Sequence, residues 1–115
     1  MRPEAIELST LEFHVLLSLA AGPLHGYAIK EAVAEESAGT LTPAAGSLYR
    51  VIARLITAGF VIEAEGIDPE PHPGLPRRYY KLPARGRRAL AAEVHRLKRA
   101  TAMAERRLRI AQGRP

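Results

Sequence analysis

The spacing of apolar residues divides the chain into helical segments and two short strand-like runs. The predicted elements, in order, are helices over 9–21, 25–37 and 43–58, strands over 60–65 and 78–82, and a helix over 84–111. A proline- and glycine-rich segment separates the two strands, which is typical of a hairpin with a long, stiff tip. The fold class expected is therefore mainly α with a small two-stranded β-hairpin.

Capping signals set the boundaries of the first and third helices. Ser9 and Glu12 match the capping box that opens the first helix. Thr42 and Pro43 suit the N-cap and the first helical position of the third helix, and Gly59 suits the left-handed residue past its end. The third helix is therefore the most sharply delimited of the predicted elements.

The third helix has one apolar side and one polar side. Leu48, Ile52 and Leu55 recur at spacings of four and three, which predicts a buried face. The opposite side carries hydrogen-bond donors, namely Ser47, Arg50, Arg54 and Thr57. Tyr49 lies at the border, where its hydroxyl reaches a ligand or its ring packs at the core edge. Gly46 costs a helix about 1 kcal/mol relative to alanine, which suggests that its bare backbone is approached closely.

The last helix carries a heptad seam, and the first helix is apolar almost all round. These two features predict contact with a second copy through Leu11, Phe13 and Leu17 of the first helix and Leu90, Val94, Leu97, Thr101, Ala104 and Leu108 of the last. The alternative for the last helix is an amphipathic helix lying on its own body. The expected organisation is a body over residues 1–83 and a dimerisation helix over 84–115.

Charge is distributed unevenly along the chain. The net charge is +5, but the segment 85–115 holds ten basic and two acidic residues, so the remainder is net acidic. A polyanionic partner explains this distribution, and a solvated basic helix face explains it equally well. The apolar content of 47% and the charged content of 25% are those of an ordinary folded protein.

Several classes of protein are disfavoured by residues that the chain lacks. It has no Cys, so disulfides, thiolate metal sites and cysteine nucleophiles are excluded. No apolar run is long enough to span a bilayer, and no signal peptide is recognised, so a cytoplasmic location is expected. The four histidines lack metal-binding spacing, and no catalytic glycine or nucleophile motif occurs. We therefore expect no metal, no cofactor and no enzymatic activity.

Three helices, a two-stranded wing and a closing helix, in this order, predict a winged helix-turn-helix. In such a fold the polar side of the third helix enters the major groove, while the hairpin reaches flanking phosphates. The residues expected to bind DNA are Thr42, Ser47, Tyr49, Arg50, Arg54, Arg77 and Arg78.

Four sequence blocks resemble the PadR family of bacterial regulators. They are Gly22-Pro23-Leu24-His25-Gly26-Tyr27, Pro43-Ala44-Ala45-Gly46-Ser47-Leu48-Tyr49, Arg54-Leu55 with Gly59-Phe60-Val61, and Arg78-Tyr79-Tyr80-Lys81-Leu82 with Gly86. They occur in the family's order and spacing over about residues 8–90. The resemblance implies a winged-helix repressor whose C-terminal helix forms a dimer with the first helix of a partner.

The chain also departs from the family pattern. Pro83 stands where the family usually has Thr, so the start of the last helix is in doubt. A single C-terminal helix corresponds to the short branch of the family. Some short members clamp flat aromatic drugs between Trp side chains, but this chain has no Trp. An apolar effector site near Phe13, Leu17, Val94 and Leu97 is one hypothesis for the interface, and a filled dimer core is the other.

The sequence thus predicts a homodimeric repressor of a pseudo-palindromic operator, relieved by a small apolar effector if one exists. Its partners would be double-stranded DNA and a second copy of itself, with no membrane. The expected location is the bacterial or archaeal cytoplasm, on the nucleoid. Two alternatives remain open, a winged-helix protein-interaction module and a non-specific DNA-binding protein.

Overall fold

Four helices and three short strands follow one another in the described part of the chain, residues 7–65 and 78–113 of a computed structural model. They are α1 (Thr10–Ser18), β1 (Leu24–His25), α2 (Gly26–Glu36), α3 (Ala45–Thr57), β2 (Ile62–Ala64), β3 (Tyr79–Lys81) and α4 (Ala84–Ala111). This order confirms the predicted fold class. The expected wing tip and Arg77 lie outside the described residues.

Helix α1 begins with the predicted capping box. Ser9 Oγ accepts from the backbone N–H of Glu12 at 3.1 Å, and Glu12 Oε1 accepts from the N–H of Ser9 at 2.8 Å. The helix ends at Ser18, earlier than expected, and packs against α2, α3 and α4. Because three helices of its own chain contact it, the apolar surface of α1 does not by itself demand a partner subunit.

Helix α2 is opened by His25, whose Nδ1 accepts from the backbone N–H of Ala28 at 3.2 Å. His25 thus has a structural role as the N-cap of α2. Ile29 and Val33 are buried, whereas Tyr27 is 62% exposed. The side chain of Tyr27, at the start of α2, therefore faces solvent.

Helix α3 begins at Ala45, with Ala44 as its N-cap, so the prediction that Thr42 caps a helix starting at Pro43 is wrong. The half-buried side chain of Leu41 packs against the core, and its N–H donates to Ser37 Oγ at 2.9 Å. This anchor holds the preceding turn in place, and the chain becomes helical only after Ala44. Because Ala44 has no side-chain acceptor, no side chain caps α3.

The sheet has three antiparallel strands in the order β1-β3-β2, one more than the predicted hairpin. Leu24 pairs with Tyr80 and His25 with Tyr79. The rings of His25 and Tyr79 also meet edge to face at 5.4 Å. A two-residue strand is too short to show an alternating pattern, which is why the sequence did not reveal β1. It ties the wing to the start of α2.

The core lies between α1, α2, α3 and the inner face of the sheet. Its members are Leu8, Val15, Leu16, Leu19, Ile29, Val33, Leu48, Val51, Ile52, Leu55, Phe60, Val61, Tyr80 and Leu82. The first turns of α4 add Ala89 and Leu90, which are partly buried against it. From Val94 onward every described residue of the chain is exposed. The outer half of α4 therefore projects from the body of the molecule.

Candidate nucleic-acid interface

The two sides of α3 are separated as predicted. Leu48, Ile52 and Leu55 are no more than 2% exposed and fix the helix to the core. Arg50 and Arg54 are exposed on the opposite side, with Ser47 half-buried beside them. The three polar residues therefore project together from a helix whose position is set by the core.

Arg50 is held along the helix surface rather than against another element. Its Nη2 donates to Ser47 Oγ, one turn earlier, at 3.2 Å. Among the described residues it forms no ion pair. Its charge is therefore available to an anionic ligand without first breaking a protein contact to a carboxylate.

Arg54 is drawn towards the start of α1. Its Nη2 lies 3.5 Å from Glu12 Oε2, so the capping carboxylate of α1 also faces the guanidinium. The Arg54 side chain is still 59% exposed. Because Glu12 partly neutralises it, Arg54 is a weaker anion-binding group than Arg50. No pattern in the sequence pointed to Glu12 as a partner of Arg54, because the two residues lie 42 positions apart.

Tyr49 crosses the beginning of α2. A Cβ placed on Gly26 would clash with its hydroxyl and lie 2.8 Å from its ring carbon Cζ, so a larger residue there would displace the tyrosine side chain. The ring nevertheless remains about half exposed at the border of the two faces. Tyr49 therefore packs on α2 with its hydroxyl against Gly26, while the rest of its exposed surface faces solvent, and a ligand contact by the hydroxyl stays a prediction.

Gly46 differs from Gly26 because no described residue crowds it. A Cβ at Gly46 would meet only Arg50 Nη1, at an ordinary contact distance of 3.7 Å. The amides at the start of α3 also lack a side-chain cap, and such amides attract anions. The helix start is therefore open to close approach by a phosphate group.

The wing places Arg78 at its base. Arg78 is 75% exposed and lies 3.7 Å from Glu63 of β2, a loose surface pair. Tyr80 is buried between the strands, and desolvation by burial raises the pKa of its phenol, so this residue belongs to the core. Thr42 is exposed in the turn before α3. The structure thus brings Ser47, Tyr49, Arg50 and Arg54 together on α3, whereas Thr42 and Arg78 belong to flanking elements.

Two arginines of the basic C-terminal segment have structural partners. Arg85 Nε donates to the carbonyl oxygen of Ala58 at 2.9 Å, and Arg87 Nη2 donates to that of Ala20 at 3.3 Å. These carbonyls lie at the C-terminal ends of α3 and α1, where the helix dipole favours a cation. Neither contact was predictable from the sequence, because the partners are 27 and 67 positions apart.

A groove of about 330 Å³ runs between α1 and α4. Its lining residues are Phe13, Val94, Leu97, Lys98, Thr101, Ala102 and Glu105. Three of the four residues proposed for an effector therefore line it, and Leu17 does not.

At the neighbouring end of α1, the buried Glu93 accepts two hydrogen bonds from Arg96, and these bonds raise the pKa of that guanidinium.

Residues 7–65 and 78–113 contain neither a metal site nor a membrane span. No cluster of three His, Cys, Asp or Glu side chains there has metal-binding geometry. No helix in the same ranges has the length and apolar character that crossing a bilayer requires.

These features define a winged helix-turn-helix with a long C-terminal helix. A family model described as the transcriptional regulator PadR-like family matches residues 15–92. The chain belongs to this family, whose members are transcriptional regulators and not enzymes.

Comparisons with individual proteins give the extent of the likeness. The chain is 41% identical over 85 residues to an uncharacterized 37.1 kDa protein in transposon TN4556 of Streptomyces fradiae. That match covers 74% of this chain but 22% of the relative, so the chain spans about a fifth of the relative's length.

Three solved structures share the fold. A PadR family transcription regulator from hypervirulent Clostridium difficile superposes with a TM-score of 0.71 at 15% identity, covering 87% of this chain and 99% of that one. Bacillus subtilis PadR in complex with operator DNA gives 0.63 at 23% identity, covering 75% and 47%. A PadR family transcriptional regulator from Eggerthella lenta gives 0.65 at 26%, covering 86% and 80%.

Proposed function

We propose that this chain is a homodimeric repressor that binds a pseudo-palindromic DNA operator. The observation that carries the proposal is the row formed by exposed Arg50 and Arg54 with half-buried Ser47 on a helix whose opposite side is anchored in the core. An α-helix fits the major groove, where an arginine reads a guanine edge through two hydrogen bonds. The structurally similar Bacillus subtilis PadR, captured with operator DNA, supports the assignment.

Each residue of the interface takes a role that suits its surroundings. Arg50, which pairs with no carboxylate of residues 7–65 and 78–113, is the candidate base reader. Arg54 leaves Glu12 and binds a DNA phosphate instead. Ser47, Tyr49 and Thr42 donate hydrogen bonds to the DNA backbone near the start of α3. Arg77 and Arg78 of the wing serve flanking phosphates.

The homodimer would form through the outer part of α4. Val94, Leu97 and Leu108 are 36%, 38% and 62% exposed, although they lie on one heptad seam. Helix α1 and the heptad seam of a partner subunit would cover them. That α1 would contribute Leu11, Phe13 and Leu17, and Leu90, Thr101 and Ala104 of the seam would complete the contact. In this arrangement residues 1–83 bind DNA and 84–115 join the copies, placing two α3 helices roughly 34 Å apart.

The substitution Arg50→Ala tests the assignment of the base reader. It should weaken binding to a selected operator by about 1–3 kcal/mol and leave random DNA nearly unaffected. Arg99→Ala removes the same charge from α4 on the side opposite the seam and is the matched control. Fluorescence anisotropy at fixed salt measures both variants on both DNAs. An equal loss on both DNAs would show that Arg50 touches phosphate alone.

The unsubstituted chain distinguishes the proposal from its two alternatives. Binding without site preference but with a steep salt dependence would identify a non-specific DNA-binding protein. No shift of any DNA at moderate salt would favour a protein-interaction module. Repression itself follows if the operator overlaps a promoter, so that a bound dimer blocks polymerase in the cytoplasm. A reporter gene behind the footprinted site measures this effect.

The groove between α1 and α4 is the proposed effector site. The groove is largely open to solvent and is lined mostly by α4, so a partner subunit would have to supply its second wall. Ala102→Phe fills the groove from a position outside the heptad seam. The apolar dye anilinonaphthalene sulfonate should brighten with the wild type and much less with Ala102→Phe. Equal fluorescence from the two proteins would contradict the site, and no fluorescence from either would favour a filled dimer core.

A further inference from the structure

The end of α3 and the beginning of α4 form a single junction. Arg85, in the first turn of α4, donates through Nε to the carbonyl oxygen of Ala58, the C-cap of α3. Its guanidinium carbon lies 5.4 Å from the centre of the Phe60 ring, a cation–π distance. One side chain therefore contacts both the last turn of α3 and the residue that leads from α3 into the wing.

Two glycines make room for this junction. Gly59 has φ +82°, and a Cβ there would lie 3.1 Å from Arg85 Cδ, so the arginine stem passes directly over the turn. At Gly86 a Cβ would clash with the carbonyl oxygen of Phe60 and lie 2.6 Å from Leu82 Cδ1. The backbone of α4 thus touches that of the α3–β2 turn with no side chain between them.

The junction has a mechanical consequence because α4 is long. Gly86 and Thr101 are separated by about 22 Å along the helix axis at a rise of 1.5 Å per residue. A tilt of about 10° over that length moves one end by about 4 Å, close to the 3.4 Å rise of one DNA base pair. Small changes at the junction are therefore large enough to alter which operator spacing two α3 helices fit.

We propose that Arg85 is a positioning residue that fixes the angle between α3 and α4, and thereby sets the half-site spacing that the dimer recognises. It touches no DNA in this scheme and acts through Ala58 and Phe60. The statement about spacing rests on the proposed dimeric DNA-binding function. The statement about the angle within one chain does not.

The angle is measured directly by spin labels in the absence of DNA. Since the chain has no cysteine, Ala53→Cys on α3 and Met103→Cys on α4 provide the two label sites, both at exposed residues. Labelled chains are diluted with unlabelled protein so that distances within one chain dominate. Arg85→Met should broaden or shift the α3–α4 distance distribution, and Arg85→Lys, which keeps a donor and a cation, should largely restore it.

The control is Arg109→Met, which removes the same charge from the far end of α4 and should leave the distribution unchanged. A distribution for Arg85→Met that coincides with the wild type would overturn the proposal. So would loss of the folded state in Arg85→Met, because Arg85 would then support the fold as a whole and not one angle.

Operators that differ in half-site spacing test whether Arg85 sets the spacing that the dimer recognises. The wild type should prefer one spacing over sites changed by one base pair by about tenfold, and Arg85→Met should reduce that ratio to about twofold without changing affinity for an isolated half-site. A uniform loss on every operator would count against a positioning role. If the wild type itself shows no spacing preference, the proposed function fails, and the label distances still decide the role of Arg85.

Discussion

The body of the molecule and the outer half of α4 carry the same kind of apolar pattern with opposite outcomes. In the body, Ile52 is 2% exposed and Leu16 is completely buried by helices of its own chain. On α4, Leu108 and Ile110 are 62% and 67% exposed. Leucines and isoleucines at helical spacing therefore indicate burial, but they do not say whether the covering surface belongs to the same chain.

This contrast assigns different roles to the apolar residues of the two regions. The body has a closed core that holds α3 in position, so its apolar residues are needed for folding. The outer half of α4 has little to gain from folding alone, because its side chains touch few other residues. Its pattern is explained if a second copy covers it.

The largest effect is expected when one core residue is truncated. Ile52→Ala should lower the free energy of unfolding by about 2–5 kcal/mol, because it leaves a cavity behind α3. Leu108→Ala should change unfolding by less than about 0.5 kcal/mol in dilute samples, where chains are monomeric. At high concentration the same variant should lose dimer, as light scattering measures. Equal costs at the two positions in dilute solution would remove the distinction between the regions.

The junction between the two regions gives the second effect. Gly86→Ala should destabilise the fold by about 1–3 kcal/mol, because the added Cβ collides with the backbone at Phe60. Gly46→Ala is the matched change in open space and should be neutral or stabilising by up to about 1 kcal/mol, while it weakens DNA binding. Thermal denaturation and anisotropy provide the two readouts. A stabilised Gly86→Ala variant would contradict the close contact.

Within the body, the ion pair between Glu12 and Arg54 predicts a gain of function. Glu12→Gln keeps the capping box, since glutamine serves at that position, but frees the arginine. DNA affinity should rise by up to about fivefold, the range that an exposed pair allows. Glu35→Gln, exposed at the end of α2, makes the same change in net charge without that pair. If both variants gain equally, the effect is one of overall charge.

The smallest effect is a pH dependence at the contact of α1 with α2. Desolvation by burial raises the pKa of Glu36, partly opposed by its hydrogen bond with His14 at 3.4 Å. A raised pKa in the folded state favours folding below the ordinary value and loses that contribution as pH rises through the folded value. Glu36→Gln should therefore stabilise the fold slightly at neutral pH and less so near pH 4. Chemical denaturation at both pH values measures the difference, and an equal shift at both would contradict this account.

Elements with strong local signals were predictable from sequence. The capping box at Ser9, the left-handed Gly59 and the full extent of α4 were all confirmed. The apolar and polar sides of α3 were also correct, because helical spacing places residues on a face regardless of the surrounding fold.

Features that depend on contacts between distant segments were not predictable. Strand β1 exists only because β3 lies beside it, and the start of α3 depends on how Leu41 is anchored. The attraction of Glu12 for Arg54 and the position of Arg85 over Phe60 likewise join residues far apart in the sequence. The sequence therefore identified which arginines face outward on α3, but not which of them is already paired.

The central claim is that two copies of α3 are held at a fixed separation for reading DNA. A nuclease footprint on a selected operator tests it most directly. The account predicts two protected half-sites related by a two-fold axis, with centres about 10 base pairs or a multiple of one helical turn apart, and protection of both lost together in Leu97→Asp. A single unsymmetrical protected site, or full protection by a variant that is monomeric, would contradict it.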